Sequence, residues 1–351
     1  MSTRLKFGVV GTGVGSSFIS GAAAELAKEG LLELTGVVAR NKAKTEEFAR
    51  KYGFKVAYSN VYDMFNLEKP DILAVSAPHY VHFQVALEAI ENGINVLVDK
   101  PMAINLTEAD ELIRRAETRG VKLGVILQSR FDDSFNFVKS LVDKGALGRL
   151  VMGEAVVEWY RTEEYYTSSS WRGRLATEGG GALINQAIHT IDLLLWIMGE
   201  PESVWAKVAT VGHNIEVEDL AAAIVRFRNG ALGVIQASTA TYPGLPTRLE
   251  IHGLKGTVIV EGDEVKFMKI AEEIPTLKPP VKRIEGLKSW ERPEAVPIEN
   301  HKRLLKDFVD AILEDRKPRV DGYEGRRSLE LIRAIYRSSA TGSVVELPLK
   351  E

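Results

Sequence analysis

The sequence predicts an α/β protein of two domains, with a doubly wound parallel sheet first and an α+β domain with a large, mostly antiparallel open sheet after it. Three observations predict this fold class. Buried-strand and helix patterns alternate over residues 5–127, a glycine turn joins the first strand to the first helix, and beyond residue 150 the pattern changes to alternating strands. The chain has 351 residues, enough for two domains, which we place at 1–127 and 128–351.

The composition narrows the class of protein. Hydrophobic residues make up 45% of the chain, charged residues 26%, and the net charge is −3, as in an ordinary globular protein. The chain lacks the basic patches that nucleic acid or anionic membranes attract, so we expect neither as a partner. It has no cysteine, which excludes disulfides, thiolate metal sites and a cysteine nucleophile. The N-terminus shows no long apolar signal core, and no apolar run approaches a membrane span, so we expect a cytoplasmic protein.

The first strand leads directly into a glycine turn. Residues 5–10 form a buried-strand run, residues 11–16 read GTGVGS, and residues 18–29 have a helical pattern. This arrangement places backbone N–H groups of a helix N-terminus against a pyrophosphate, although an ordinary glycine turn is the alternative. The usual third glycine is replaced by Ser16, with a glycine beside it. The turn predicts a dinucleotide cofactor held by Gly11, Thr12, Gly13, Val14 and Gly15.

The end of the second strand, residues 34–39, bears on the choice of cofactor. An acidic residue there would hold the ribose 2′-hydroxyl of NAD, but the chain has Ala39, Arg40 and Asn41. Arg40 can stack on adenine or bind a 2′-phosphate, and the alternative is a solvent-exposed surface charge. The sequence therefore favours NADP over NAD.

Three further buried strands are predicted at residues 71–76, 95–98 and 121–127, each separated from the next by a helix. Ligands bind at the carboxyl ends of the strands in such a sheet. His82 begins a helix, and we expect it to position the loop rather than to take part in chemistry. The predicted cofactor contacts at these strand ends are Ala77, Pro78, His82, Lys100, Pro101 and Arg130.

The second domain combines strands with one buried helix. Strand patterns recur between residues 151 and 260, and Asn229-Gly230 is a hairpin signal. The helical pattern of residues 183–197 is apolar on most of its surface and follows three glycines at 179–181. Toward the C-terminus, two helices at 300–314 and 325–341 and a short strand are predicted, preceded by an irregular flap at 275–297.

Three polar residues interrupt the apolar helix. Asn185, His189 and Asp192 are spaced i, i+4 and i+7, which places them in one narrow stripe of an α-helix. Buried polar groups need partners, so the stripe predicts a polar cavity, a ligand or partner side chains. A satisfied structural network is the alternative.

The loop before the glycines is rich in aromatic residues and arginines. Such side chains suit the face of a sugar and an anionic group, and the alternative is a packed surface loop. The substrate contacts predicted from it are Tyr160, Trp171, Arg172 and Arg174.

Over its whole length the chain resembles the glucose–fructose oxidoreductase, inositol dehydrogenase and MocA family. The residues that carry the resemblance are Gly11-Thr12-Gly13, Ala77-Pro78 through His82, Asp99-Lys100-Pro101, Arg130-Phe131, Gly145-Ala146-Leu147-Gly148, Gly179-Gly180-Gly181 leading to His189 and Asp192, and the ending from Glu324 to Tyr336. Two positions depart from the family pattern, which has Glu where Asp99 stands and Asp where Asn185 stands. The resemblance implies a Rossmann domain first and a homodimer or homotetramer paired through the open sheet of the second domain.

The resemblance also implies a chemistry. Oxidising a secondary alcohol needs a hydride acceptor, a base and a group that holds the developing alkoxide. Lys100 lies near the nicotinamide and the reacting hydroxyl in the family and would hold the substrate oxygen. His189 is the expected base, Asn185 would orient a neighbouring hydroxyl, and Asp192 is expected to be structural. We expect no metal.

The expected function is an NAD(P)-dependent oxidoreductase that oxidises a secondary hydroxyl of a sugar, sugar acid, nucleotide-sugar or cyclitol, or reduces the ketone. An acidic substrate is favoured, because Asn185 removes a negative charge that would repel one. Two alternatives remain: a cofactor-retaining glycosidase-type relative, and a non-catalytic NAD(P)-binding regulator.

Overall fold

The computed structural model describes residues 4–272, 278–280 and 298–349. The chain forms two compact units, Met1–Gln128 with Pro297–Arg326, and Ser129–Val296 with Arg327–Glu351. The first unit thus contains residues 297–326, although the sequence analysis placed everything after residue 127 in the second domain. The predicted flap at 275–297 lies outside the described residues apart from 278–280.

The first unit is built on a parallel sheet of six strands in the order β3-β2-β1-β4-β5-β6. This confirms the predicted doubly wound sheet. Its strands are β1 Leu5–Val10, β2 Leu32–Val38, β3 Val56–Tyr58, β4 Ile72–Val75, β5 Asn95–Asp99 and β6 Leu123–Ile126. Its helices are α1 Val14–Lys28, α2 Lys42–Tyr52, α3 Val61–Glu68, α4 His79–Glu91, α5 Leu106–Arg119 and α10 Glu299–Leu313.

Helices cover both faces of this sheet, so its central strand β4 is apolar throughout. All four residues of β4 are buried. Helix α10 belongs to this core, because a Cβ built on Gly124 of β6 would lie 2.8 Å from the Phe308 ring. The His301 ring of α10 stacks on Phe18 of α1, with 5.1 Å between centroids.

The second unit is built on a sheet of eight strands in the order β13-β12-β11-β7-β10-β9-β8-β14. Among the strand pairs of the described residues in this sheet only β7–β10 is parallel, which confirms the predicted mostly antiparallel sheet. Its strands are β7 Leu150–Glu158, β8 Pro201–Ala209, β9 Leu220–Phe227, β10 Leu232–Ser238, β11 Arg248–Gly253, β12 Gly256–Glu261, β13 Glu264–Ile270 and β14 Val345–Glu346. The remaining helices are α6 Asp133–Asp143, α7 Glu163–Thr167, α8 Leu175–Glu178, α9 Ile188–Met198 and α11 Gly322–Thr341, which runs across the boundary of the two units in the sequence.

Helix α9 packs on the inner face of this sheet. A Cβ built on Gly153 of β7 would lie 2.8 Å from Leu194 and 2.9 Å from Met198 of the helix. The segment Leu175–Met198 is long and apolar enough to cross a membrane, but 83% of its apolar 18-residue stretch is buried inside the protein, as in the core helix of a globular domain.

Candidate active site

The glycine turn after β1 leaves an open approach to the N-terminus of α1. Gly11 has a φ of +114°, and a Cβ there would lie 1.9 Å from the Ser76 carbonyl oxygen, so only glycine fits. Gly13 is the N-cap of α1, and a Cβ there would meet nothing within 4 Å. Backbone N–H groups at a helix N-terminus beside free space form an anion site, which fits the pyrophosphate of a dinucleotide.

Gly15 supplies the close contact that the fingerprint assigns to its third glycine. A Cβ on Gly15 would lie 2.4 Å from Asp99 Oδ2 and 2.5 Å from Ser76 Oγ, so α1 approaches the ends of β4 and β5. Ser16 lies buried and donates a hydrogen bond from Oγ to the Ser76 carbonyl oxygen at 2.7 Å. Gly15, the residue before Ser16, therefore makes the close approach that the missing third glycine of the fingerprint would make.

Hydrogen bonds fix the loop that carries Lys100. The Lys100 N–H donates to Asp99 Oδ1 at 2.8 Å. His82 is buried, with Nδ1 2.8 Å from the Pro101 carbonyl oxygen and Nε2 2.7 Å from the Ala77 carbonyl oxygen. Burial lowers the pKa of His82, against the raising effect of Asp99 and the two carbonyls. His82 thus connects the loops that follow β4 and β5, as a positioning residue would.

The end of β2 places Arg40 in solvent. Its neighbour Asn41 is the N-cap of α2 and accepts a hydrogen bond from the Lys44 N–H at 3.1 Å. Asn41 therefore has a structural task, and the contact of Arg40 with the cofactor stays a prediction.

In the second unit a buried carboxylate holds the glycine turn before α9. A Cβ on Gly181 would lie 1.9 Å from the Glu218 carbonyl oxygen, and one on Gly180 would lie 2.1 Å from Tyr336 Oη. The Glu218 carboxylate accepts hydrogen bonds from the N–H groups of Gly181 and Leu183, at 2.8 and 2.9 Å, and from Tyr336 Oη at 2.9 Å. Burial raises the pKa of Glu218. These two glycines are therefore required by Glu218, which the sequence analysis did not single out, and by Tyr336, which it named only among the residues that carry the family resemblance.

The helix after this turn begins with a π-helical segment, Ala182–Ala187, and continues as α9. Asn185 lies in the π-helical segment and His189 lies in α9. The spacing of Asn185 from His189 therefore differs from the regular α-helical spacing that the sequence analysis assumed. Both side chains are partly exposed. Single π turns inside helices are frequent at functional sites.

Asp192, the third member of the stripe, forms a buried ion pair. Arg130 donates to Asp192 from Nε and Nη2, both at 2.7 Å, and Ser328 Oγ donates at 2.9 Å. The side chains of Arg130 and Asp192 are 4% and 1% exposed. Asp192 therefore has the structural role expected of it. Arg130 was predicted to contact the cofactor, but the structure shows its guanidinium in this ion pair, and the cofactor contact stays a prediction.

The aromatic loop places two guanidinium groups against one tyrosine. Arg172 lies 4.2 Å from the ring centroid of Tyr165 and 5.4 Å from that of Trp171, and Arg161 lies 5.4 Å from Tyr165. Burial lowers the pKa of Arg161, and the neighbouring Arg172 adds to that effect. Trp171 and Arg172 are half-buried, whereas Arg174 is exposed. Two partly buried cations side by side favour an anionic group nearby.

Tyr160 lies apart from these cation–π contacts. It is 38% exposed and packs edge-on against Tyr242, with 5.3 Å between ring centroids. Its predicted contact with the substrate is not tested by this packing and stays a prediction.

One group of side chains among the described residues has the composition of a metal site. Ligand atoms of Glu154, Glu250 and His252 lie within 4.8 Å of one another on β7 and β11. Arg248 Nε lies 2.5 Å from Glu250 Oε1, and His252 Nε2 lies 3.3 Å from Glu250 Oε2. Glu250 thus has ion-pair contacts with Arg248 and His252, and the expected absence of a metal stays a prediction.

Two family models match the chain. The model of the NAD-binding Rossmann fold of an oxidoreductase family, GFO_IDH_MocA, matches residues 5–127, and the GFO/IDH/MocA C-terminal domain matches residues 135–259. Among curated proteins, scyllo-inositol 2-dehydrogenase (NADP(+)) IolW of Bacillus subtilis is 24% identical over 348 residues, covering 95% of this chain and 94% of that protein.

Solved structures match the whole chain. The WlbA dehydrogenase from Bordetella pertussis, in complex with NADH and UDP-GlcNAcA, is 32% identical with a TM-score of 0.88, covering 99% of this chain and 100% of that one. The Chromobacterium violaceum WlbA dehydrogenase, in complex with the same two compounds, is 29% identical with a TM-score of 0.89, covering 100% and 98%. A levoglucosan dehydrogenase with NADH and L-sorbose, at 21% identity and a TM-score of 0.88 with 99% and 100% covered, shares the fold.

Proposed function

This chain belongs to the GFO/IDH/MocA family of NAD(P)-dependent oxidoreductases, and from that premise we propose that its substrate is a nucleotide-linked sugar acid. The observation that carries the proposal is the pair of guanidinium groups, Arg161 and Arg172, against the Tyr165 ring. The UDP-GlcNAcA in the two WlbA dehydrogenase structures supports it.

The charge near the helix is consistent with an anionic substrate. Asn185 is neutral where the family has Asp, and two unit charges about 4 Å apart interact by ~4 kcal/mol at an effective dielectric of 20. The neighbouring carboxyl of Glu178 has its pKa raised to about 7 by burial, so it carries only part of a charge at neutral pH. Arginine binds carboxylates and phosphates through paired, charge-assisted hydrogen bonds.

The proposed mechanism divides the reaction between two residues. When bound, the nicotinamide cofactor supplies the hydride acceptor. Lys100 holds the substrate oxygen and favours its ionised form. His189 takes the hydroxyl proton, a role that suits imidazole because histidine side chains titrate near neutral pH.

Two substitutions test this mechanism. Lys100→Met and His189→Ala are each expected to lower kcat by at least ~100-fold, while the cofactor Kd changes less than about threefold. Near-wild-type kcat in either variant refutes the assignment of that residue. Net turnover of added cofactor separates a dehydrogenase from the cofactor-retaining glycosidase-type alternative, and a non-catalytic regulator would show no turnover at all.

The substrate class is tested by comparing UDP-GlcNAcA with its neutral counterpart UDP-GlcNAc. Wild type should have the higher kcat/KM for the acid, and Arg172→Ala should reduce that preference by about 10- to 100-fold, as loss of a charged hydrogen bond does. Arg174 is also a predicted substrate contact, and Arg174→Ala should reduce the preference less than Arg172→Ala does, because Arg174 is exposed. A preference for a neutral polyol such as inositol, unaltered in both variants, would instead place the enzyme with cyclitol and aldose dehydrogenases.

We propose NADP as the preferred cofactor, because Arg40 is exposed at the end of β2 where NAD-binding domains have a carboxylate. The NADH in the WlbA dehydrogenase structures favours NAD instead. Fluorescence titration with both reduced cofactors decides between them. Arg40→Ala should weaken NADPH binding and leave NADH binding unchanged, whereas tighter NADH binding by wild type would reject the proposal.

The outer face of the second-unit sheet is the proposed subunit interface. Trp205 and Ile224 are cross-strand neighbours on this face and are 47% and 51% exposed, and Phe267 on the edge strand β13 is 50% exposed. An exposed apolar patch of this kind is typical of protein interfaces. Light scattering should show a homodimer or homotetramer, and Ile224→Lys should dissociate it. A monomeric wild type contradicts the proposal.

A further inference from the structure

A buried carboxyl group contacts the amide of Asn185. Glu178 ends α8 and is 1% exposed. Its Oε2 lies 2.5 Å from the Gly173 N–H nitrogen, and its Oε1 lies 2.5 Å from Asn185 Nδ2. Tyr165 Oη lies on the same side of the amide, 3.5 Å from Asn185 Nδ2.

The hydrogen-bond capacities of these groups fix their orientation. An ionised carboxylate only accepts hydrogen bonds, and a backbone N–H only donates. One oxygen of Glu178 is therefore committed to Gly173, and the other requires a donor from Asn185. The amide of Asn185 must turn its NH₂ group toward Glu178, which leaves Oδ1 on the opposite side of the amide plane.

We propose that Glu178 is a positioning residue that orients the Asn185 amide so that its carbonyl oxygen accepts a hydrogen bond from a hydroxyl of the bound sugar. The inference rests on the proposed function, in which Asn185 contacts the substrate. In this arrangement Asn185 accepts a hydrogen bond from the sugar, as the family's aspartate would, but it carries no negative charge. An acidic substrate is then held by an acceptor that does not repel it.

The arrangement reverses when Glu178 gains a proton. Oε2 is occupied by the Gly173 N–H, so the proton resides on Oε1 and donates toward Asn185. The amide then rotates by half a turn, Oδ1 accepts that proton's hydrogen bond, and the NH₂ group replaces the acceptor on the other side. Substrate affinity should therefore fall as the pH falls through the titration of Glu178.

The groups around Glu178 set the pH of this change. Burial raises its pKa to about 7, the hydrogen bonds from Gly173 and Asn185 oppose that rise, Arg172 opposes it further and Glu218 adds to it. Three phenols nearby have raised pKa values and stay neutral over the same range: Tyr165, Tyr166 and Tyr336. The wild-type KM is therefore expected to rise below about pH 7.

Glu178→Gln is the decisive substitution. The introduced side chain must turn its carbonyl oxygen to the Gly173 N–H, so its NH₂ group faces Asn185 and forces the amide to flip. At pH 8 we expect KM to rise about tenfold with a smaller change in kcat, and the rise of KM below pH 7 to disappear.

The double variant Glu178→Gln with Asn185→Asp is the matched rescue. It keeps one carboxylate in the pair and restores an acceptor opposite the introduced amide. We expect its KM for the neutral UDP-GlcNAc to return to within about threefold of wild type, whereas its KM for UDP-GlcNAcA stays raised because the introduced carboxylate repels the acid. A purely structural role of Glu178 predicts no rescue, because the buried carboxylate is still missing.

A substrate-free readout separates this inference from the proposed function. The side-chain amide resonance of Asn185, identified by its loss in Asn185→Asp, should shift with a midpoint near pH 7 in wild type and stay constant in Glu178→Gln. A constant resonance in wild type overturns the inference, as does an unchanged KM in a folded Glu178→Gln or a failed rescue. If the resonance shifts as expected but Asn185→Ala leaves KM unchanged, Asn185 does not contact substrate, and it is the proposed function that fails.

Discussion

His301 should make the first unit sensitive to acid. Its side chain is 4% exposed and stacks on Phe18, and its Nδ1 has no hydrogen-bond partner within the described part of the chain. Burial lowers its pKa to about 4, although the charge of Asp99 acts in the opposite direction. The folded protein therefore holds this imidazole neutral across the range in which an unfolded histidine, with a pKa of about 6.5, takes up a proton.

The sign and size of the effect follow from linkage. Between pH 6.5 and pH 4 the unfolded state binds one more proton than the folded state, so the free energy of unfolding falls as the pH falls. With pKa values of about 6.5 unfolded and about 4 folded, the loss from pH 7.5 to pH 5.0 is about 2 kcal/mol, and it approaches about 3 kcal/mol below pH 4. Raising the pH above 7 restores the full stability contributed by this residue.

His301→Phe removes the titration and keeps the stacking on Phe18. Urea unfolding followed by far-UV circular dichroism should show that wild type loses about 2 kcal/mol more than the variant between pH 7.5 and pH 5.0. The tryptophans of the described residues, at 159, 171, 196 and 205, all lie in the second unit, so their fluorescence isolates its transition from that of the first. His301→Gln is the control for packing. Its side chain cannot take up a proton either, so its free energy of unfolding should change between pH 7.5 and pH 5.0 as that of His301→Phe does, whatever its value at pH 7.5. A wild-type-minus-variant difference that is equal at both pH values would refute a neutral, buried His301.

Other substitutions test the second unit and the glycine turn. Asp192→Asn should cost about 3–5 kcal/mol by leaving the Arg130 cation buried without its counter-charge, and Asp192→Leu with Arg130→Met should recover most of it; a loss below 1 kcal/mol in fluorescence-detected urea unfolding contradicts this. Gly181→Ala should cost at least ~3 kcal/mol in the same assay, since its Cβ would lie 1.9 Å from the Glu218 carbonyl oxygen, and an unchanged midpoint would reject that contact. Gly13→Ala should leave unfolding unchanged but weaken cofactor binding at least ~10-fold by calorimetry, because its Cβ enters the free space beside the N-terminus of α1; an unaltered Kd places the pyrophosphate elsewhere.

The fold was predictable because its signals are local. Alternating strand and helix patterns with a glycine turn directly after β1 determine the parallel sheet, and the change to a period of two determines the antiparallel one. The assignment of residues 297–326 was not predictable in this way. Whether α10 packs on one sheet or the other depends on shape, here the fit of Phe308 over Gly124, which no periodicity records.

The residues of the site also divide into those that local sequence patterns predict and those that only folding brings together. The stripe of Asn185, His189 and Asp192 indicated that polar groups on an apolar helix need partners, and the structure supplies Arg130 for Asp192 and Glu178 for Asn185. Arg130 lies 62 positions from Asp192, so their pairing is visible only after folding. The π-helical start of the helix was missed as well, because helix propensities do not distinguish a π turn from an α turn.

The first unit combines residues 1–128 with residues 297–326, which lie far apart in the chain. It therefore cannot finish folding until the second of these segments has been synthesised. A ribosome releases β1 to β6 long before α10, so the surface of β6 around Gly124 stays uncovered until Phe308 emerges. During that interval residues 129–296 of the second unit are synthesised, whereas residues 327–351 of that unit follow α10. The nucleotide-binding unit of this enzyme therefore reaches its final packing only after residues 129–296 have been synthesised, and a fragment that stops at residue 127 would expose an apolar surface on its sheet that α10 covers.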